Sequence, residues 1–207
     1  MANWWERKVV PQIIRLGCGC QKLAPLRGPV VAQAEGRVLE LGLGAGANLP
    51  FYDGTRVTAL TGIEPSAELR AIARKARRAD QPELDLVDAP AENLPFADAS
   101  FDTVVCTFTL CTVRDNARAV REARRVLRTG GRLLFCEHGL APDEGVRRWQ
   151  RRIDPVWSAL CGGCHITRPV RTTIEQAFRI EVWQGGYSEE MSLRIAGWLE
   201  SGVAIAD

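Results

Sequence analysis

Three glycines on alternate positions, directly behind a short apolar run, limit what this chain can become. The run is Val38-Leu39-Glu40-Leu41, followed by Gly42-Leu43-Gly44-Ala45-Gly46-Ala47-Asn48. It reads as a strand entering a turn stripped of side chains, so the backbone can press against a ligand. A dinucleotide fold asks for G-x-G-x-x-G and a helix N-terminus facing a pyrophosphate. Here the pattern is G-x-G-x-G, with Glu40 two residues before the first glycine. A carboxylate in that place repels phosphate and welcomes an ammonium group. The loop suits a nucleoside with an amino-acid end and no phosphate, which is S-adenosylmethionine (SAM).

A second acidic residue supports that reading. Val57-Thr58-Ala59-Leu60-Thr61-Gly62-Ile63 has the composition of a strand and ends at Glu64-Pro65-Ser66. An acid about 20 residues past a glycine loop is the usual partner of two ribose hydroxyls. Its two oxygens can accept both O–H donors. The plainer alternative is that Glu64 only caps the helix beginning near Pro65.

The chain has 207 residues, enough for one domain with a full core, and nothing divides residues 1–207 into two. No apolar run approaches the roughly 20 residues of a membrane span. The N-terminus lacks the pattern of an export signal, so the expected location is cytoplasmic. Seven cysteines, an odd number, suggest reduced thiols. A net charge of +2 is too small to imply a nucleic-acid partner. Residues 1–28 are locally basic, however: Arg7, Lys8, Arg15, Lys22 and Arg27 face one acid, Glu6. They also hold Trp4, Trp5, Val9, Val10, Ile13, Ile14 and Leu16 at near-helical spacing, interrupted by Pro11. The segment suits a lid helix over residues 1–30, packed on the protein's own core. It also suits peripheral contact with a membrane. Both hold if the lid covers an apolar substrate.

Downstream, strands and helices alternate. Strands are expected near 37–42, 57–63, 84–87, 101–106 and 132–137. Helices are expected from Leu49, over 66–79 and over 115–128, the last ended by Thr129-Gly130-Gly131. Residues 178–184 and 193–199 read as two final strands. The alternation predicts an α/β fold, a doubly wound and mostly parallel sheet with helices on both faces. Ligands of such sheets bind beyond the carboxyl ends of the strands. That rule gathers Gly42 to Asn48, Glu64, Asp88 to Glu92, Thr107 to Leu110 and Glu137-His138 at one crevice.

These residues resemble the class I SAM-dependent methyltransferases over roughly 35–140. The resemblance rests on Glu40-x-Gly42-x-Gly44-x-Gly46, Glu64, Ala91-Glu92-Asn93-Leu94-Pro95-Phe96, Ser100-Phe101-Asp102 and Arg125-Val126-Leu127-Arg128-x-Gly130-Gly131. It implies a seven-stranded sheet with an antiparallel last strand. It further implies a glycine loop, with Glu40 and Asn48, around the methionine end, and Glu64-Pro65 at the ribose. Ala91 and Glu92 would meet the adenine, and Thr107, Phe108 and Leu110 would complete the cofactor contacts. Pro90 stands where many relatives carry an aspartate, and Asp88 lies two residues earlier. Cys106-Thr107-Phe108-Thr109-Leu110-Cys111-Thr112-Val113, Asp154-Pro155-Val156-Trp157 and Gly163-Cys164-His165-Ile166-Thr167-Arg168 are similar to the alkyl-thiol methyltransferase branch. The membrane anchor of animal members does not carry over, because no segment here is long enough.

The chemistry so implied is methyl transfer from SAM to a small, apolar acceptor such as a thiol. Methylation of a phospholipid amine at a membrane surface and a non-catalytic SAM-binding module are the alternatives. Alignment of nucleophile, methyl and sulfur is the main task. A thiol or phenol must also lose a proton, and His138, after the fifth strand, is the candidate base with an ordinary pKa near 6.5. Asp154 and His165, in a substrate-covering insert over 140–177, are the other candidates. Cys161-Gly162-Gly163-Cys164-His165 has the form of a c-type haem attachment, but no export signal accompanies it. With Cys18 and Cys20 the pair could also ligate zinc. The plain reading is reduced cysteines around an apolar acceptor pocket, with no metal. Trp149, Trp157 and Trp183 suit such a pocket, and Arg147, Arg148, Arg151 and Arg152 suit solvent, an anionic substrate or a lipid head group.

Overall fold

The computed structural model describes residues 9, 12–13, 20–191 and 193–207. Most of the 1–19 segment expected to form the lid, including Trp4, Trp5 and Cys18, lies outside the described residues. Seven strands form one sheet in the order β3-β2-β1-β4-β5-β7-β6. They are β1 (Gly36–Leu41), β2 (Val57–Ile63), β3 (Leu84–Val87), β4 (Phe101–Thr107), β5 (Leu127–His138), β6 (Arg179–Tyr187) and β7 (Trp198–Ile205). β1 pairs in parallel with β2 and β4, while β7 runs antiparallel to both β5 and β6. The helices are α1 (Ala24–Val31), α2 (Ala67–Ala76), α3 (Asn116–Val126), α4 (Glu144–Leu160) and α5 (Val170–Glu175).

The strands alternate between two cores, as period-2 side chains must. Leu39, Val104, Leu133 and Phe135 join Ala119, Val120 and Ala123 of α3 and Val170 and Ile174 of α5 on one face. Val38, Val105, Leu134 and Cys136 join Val30 and Val31 of α1 and Ala73 of α2 on the other. Helix starts follow from capping: Ser66 accepts from the Leu69 N–H at 3.3 Å and Asp115 from the Arg118 N–H at 2.9 Å. Glu68 in the first turn of α2 and Arg74 and Lys75 in its last complement the helix dipole.

Three expected elements differ. The helix from Leu49 is a single 3-10 turn, Leu49–Phe51, and Tyr52 returns the chain to extended backbone. Gly130-Gly131 do not end α3. They lie inside β5, where the Gly130 N–H donates to Ala206 O at 2.7 Å and Ala206 returns a bond to Gly131 O at 2.9 Å. The final strands shift to 179–187 and 198–205, because Arg194–Ala196 turn as a 3-10 helix. Helix α4, within the expected insert 140–177, escaped the sequence reading: Pro155 and four arginines hide a face formed by Gln150, Asp154, Trp157 and Cys161.

Candidate active site

The switch point of the sheet falls between β1 and β4, and a cavity of about 1010 Å³ opens beyond their carboxyl ends. The glycine loop forms its floor. Gly42, Gly44 and Gly46 have φ of 65°, 57° and 82°, a left-handed region that favours glycine. Their reasons differ. A Cβ on Gly42 would lie 2.5 Å from Thr109 Oγ1, and one on Gly46 would lie 2.7 Å from Leu49 Cδ1. A Cβ on Gly44 would meet nothing nearer than 3.9 Å and would project into open space. Gly42 and Gly44 line the cavity. Gly44 thus leaves open, on the cavity wall, space that a side chain would fill.

Glu64 stands beside it at the end of β2. Its Oε2 accepts from the Gly44 N–H at 3.1 Å and its Oε1 from the Ser66 N–H at 2.8 Å. Burial pushes this carboxyl up, and the two backbone donors offset part of that rise. A carboxylate has about four acceptor sites, so two remain for a pair of hydroxyls. The acid expected for the ribose pins the glycine loop, a contact that spacing does not reveal. Pro65, Ala89, Pro90, Ala91 and Glu92 continue the wall. Glu92 is already engaged, accepting from the Arg114 and Asp115 N–H groups at 2.8 and 3.3 Å. Asp88 turns outward to Arg70.

Glu40, Gly46, Asn48, Thr107 and Leu110, also expected at the cofactor, are not among the residues that line the cavity. Glu40 is 2% exposed. Its carboxylate accepts from Tyr52 Oη at 2.6 Å and Asn48 Nδ2 at 2.9 Å, and Asn48 also donates to Thr107 Oγ1 at 2.8 Å. Burial raises Glu40 to about 7, against the lowering effect of those bonds. The acid thus braces the loop from behind. Leu110 packs in the core below β4.

The rest of the cavity wall is partly apolar. Phe108, Trp157, Met191, Leu193 and Ala196 line it, with His138 among them. Phe108 adopts φ 52°, a strained conformation for a side chain of its size, and its ring centroid is 5.1 Å from that of His138. The turn that holds it there depends on Glu137, which the sequence pointed to only by position. Glu137 is fully buried and accepts from the backbone N–H groups of Thr109, Leu110 and Cys111 at 2.7, 3.0 and 3.3 Å. Burial raises it to about 6.

His138 Nδ1 lies 3.0 Å from Ala196 O and so donates to it. That bond assigns the proton to Nδ1 and leaves Nε2 as the acceptor. Burial lowers His138 to about 4, more than the Ala196 bond raises it, in contrast to the ordinary value expected. The imidazole is neutral at any physiological pH. Asp154 and His165 form a pair, Nδ1 to Oδ2 at 2.7 Å, outside the residues that line the cavity. Trp149 and Trp183 also stand apart from it, both exposed. No group of three or more metal-ligating side chains comes together among the described residues, and Cys18 is not one of these.

Comparison with known proteins fits this geometry. Residues 39–135 match the methyltransferase domain family. A rat protein named thiol S-methyltransferase TMT1B is 39% identical over 71% of this chain and 62% of its own. Human thiol S-methyltransferase TMT1A is 40% identical over 68% of this chain and 58% of its own. A phosphatidylethanolamine N-methyltransferase of Cereibacter sphaeroides is 40% identical over 53% of this chain and 54% of its own. The chain thus spans about three fifths of the length of the thiol S-methyltransferases it matches. A solved SAM-dependent methyltransferase structure from Thermotoga maritima superposes with a TM-score of 0.68 over 98% of both chains, at 22% identity, and shares the fold.

Proposed function

The chain belongs to the SAM-dependent methyltransferase family, and on that premise we propose that it methylates a small apolar thiol within a single domain. The carrying observation is one cavity lined by two unlike sets of residues. One set has the open Gly44 cradle and the two unused acceptor sites of Glu64. The other is apolar and contains a neutral histidine. SAM, when bound, supplies a methyl group activated by sulfonium charge. Gly42, Gly44, Glu64, Pro65, Ala91 and Glu92 hold it in this reading. Phe108 and Trp157 confine the acceptor and exclude water, so its sulfur is aligned with the methyl carbon. His138 Nε2 is the proton acceptor for the thiol, with the Ala196 bond fixing its tautomer. Residues 140–177, α4 above all, cover the acceptor.

The test is incubation with SAM and a panel of alkyl and aryl thiols, phenols and amines, reading methylated product and S-adenosylhomocysteine. Thiol methylation is expected. Tight binding of S-adenosylhomocysteine with no methylated product from any acceptor would replace this reading with a non-catalytic SAM-binding module.

A second reading, methylation of a lipid amine, draws on the outer face of α4. Trp149, Val156 and Leu160, at i, i+7 and i+11, are 55%, 62% and 55% exposed. Arg148, Arg151 and Arg152 accompany them, and the Arg152 guanidinium lies 5.7 Å from the Trp149 ring centroid. An apolar stripe with arginines suits peripheral contact with an anionic lipid surface, as do residues 1–28. No described helix is long and apolar enough to cross a membrane. Flotation with anionic vesicles, together with methylation of their amine lipids, separates the two readings.

A further inference from the structure

The cavity wall carries sulfur chemistry that methyl transfer does not use. Cys161 caps the C-terminus of α4, and Gly162 and Gly163 follow with φ of 64° and 86°. Two residues in that left-handed region turn the chain tightly, and the Cys164 N–H closes the turn on Cys161 O at 3.3 Å. Both cysteines line the cavity. Cys164 is 3% exposed, so the cavity is its main approach, while Cys161 is half-buried. Cys164 packs in one small cluster with Cys111, Trp157 and Met191.

The two thiols are unequal. Cys111 and the Trp157 indole lean on the Cys164 sulfur and hold its thiol below the ordinary range, despite burial. The Trp157 N–H has no oxygen or nitrogen acceptor of its own. Burial, with the neighbouring Cys164, pushes Cys161 up. An attacking thiol with a stabilised thiolate beside a more protonated resolving thiol is the arrangement of disulfide exchange.

We propose that Cys161 and Cys164 form a reactive dithiol that reduces disulfides of small apolar thiols inside the cavity, releasing the free thiol where it can be methylated. The Cys164 thiolate attacks one sulfur of R–S–S–R. That S–S bond breaks, a Cys164–S–S–R bond forms, and R–S⁻ leaves and takes up a proton. The Cys161 thiol then gives up its proton and attacks the Cys164 sulfur. The mixed disulfide breaks and the second R–S⁻ leaves. In sum, two cysteine thiols are oxidised to one disulfide and one R–S–S–R is reduced to two R–SH. An added dithiol such as dithiothreitol restores the pair. The place of the released thiol in a later methylation rests on the function proposed above; the exchange itself does not.

The experiment uses the full chain, reduced and desalted, without SAM, and 2,2′-dithiodipyridine as the apolar disulfide. Wild type is expected to release two thiopyridones per chain in a fast phase, roughly tenfold or more ahead of the remaining cysteines. Peptide mapping by mass spectrometry should then find Cys161 linked to Cys164. Cys161→Ser should release one thiopyridone in that phase and retain the other half of the reagent on Cys164. Cys164→Ser should lose the phase. Mapping on wild type keeps the test valid if a variant folds poorly. An unmodified Cys164, a link from Cys164 to Cys111, or a fast phase intact in both variants would overturn the proposal. Exchange without methyl transfer to any thiol would sink only the methylation reading, and methyl transfer without exchange only this one.

Discussion

At the scale of the residue, the decisive quantity is the proton affinity of His138. An ordinary histidine base would give a rate that rises through pH 6.5. Burial moves this one to about 4, so its neutral form is present throughout the working range. Thiol methylation should therefore show no loss assignable to His138 until the pH falls toward about 4. A rate profile with an inflection near 6.5 would mean that another group takes the proton. Replacing His138 by alanine should lower kcat by roughly tenfold to 10²-fold, the low end for positioned proton transfer, because a base held near 4 takes a thiol proton uphill. Affinity for S-adenosylhomocysteine should be unchanged, because the imidazole belongs to the apolar set that confines the acceptor. Glu64 should behave in the opposite way. Glu64→Ala removes the hydroxyl acceptors and frees the Gly44 and Ser66 N–H groups. At about 1.5–3 kcal/mol per hydrogen bond to a charged group, calorimetry should find S-adenosylhomocysteine binding at least tenfold weaker. Unchanged affinity would remove the ribose assignment.

At the scale of the element, the glycine loop separates two kinds of necessity. Gly42→Ala drives a methyl group against Thr109, whose hydroxyl is tied to Leu41 O, so it should destabilise the fold itself. Gly44→Ala meets open space and bears only the cost of its positive φ, about 1–2 kcal/mol. Under the proposed function its methyl group projects into the space that the cofactor takes. It should melt near wild type yet lose most S-adenosylhomocysteine binding, a contrast read by thermal unfolding and calorimetry on the same samples. A Gly44→Ala chain that binds normally would show that the cradle is not the cofactor site. The loop, the parallel strands and the place of Glu64 at the end of β2 were legible because each is a local pattern with a fixed offset. Glu40 shows the limit of the same logic. Its position two residues before Gly42 says that it is near the loop, but only Asn48 and Tyr52 show that it faces inward. Glu137 illustrates the converse: nothing in its neighbours in sequence indicates that three N–H groups, 26 to 28 residues earlier, converge on it. Strand β7 was misplaced because its pairing with β5 is a long-range fact, and α4 was missed because its inward face is polar and interrupted by proline.

At the scale of the whole molecule, the buried titratable groups set how stability responds to pH. Glu40 and Glu137 are raised to about 7 and about 6 from 4.5, while His138 is lowered to about 4 from 6.5. A raised carboxyl binds its proton more tightly folded than unfolded, so its contribution is complete below 4.5 and is lost as pH rises through the folded value. A lowered histidine does the reverse: its contribution is complete above 6.5 and is lost as pH falls toward about 4. The three windows overlap and partly cancel. Between about pH 5 and 7.5 the two acids give up more than His138 regains, and at 1.36 kcal/mol per pKa unit the net loss is about 2 kcal/mol. Most of it belongs to Glu40. A glutamine there keeps the shape and can still accept from Asn48, while its amide can donate to Tyr52 Oη; it carries no charge to desolvate. Urea unfolding at about pH 5 and about pH 7.5 should therefore show wild type weaker at the higher pH and Glu40→Gln level or slightly stronger. Parallel behaviour of the two proteins across that interval would mean that the carboxylate behind the glycine loop stays ionised. It would then be a standing charge facing the loop, closer to the ammonium-binding role that its place in the sequence suggested.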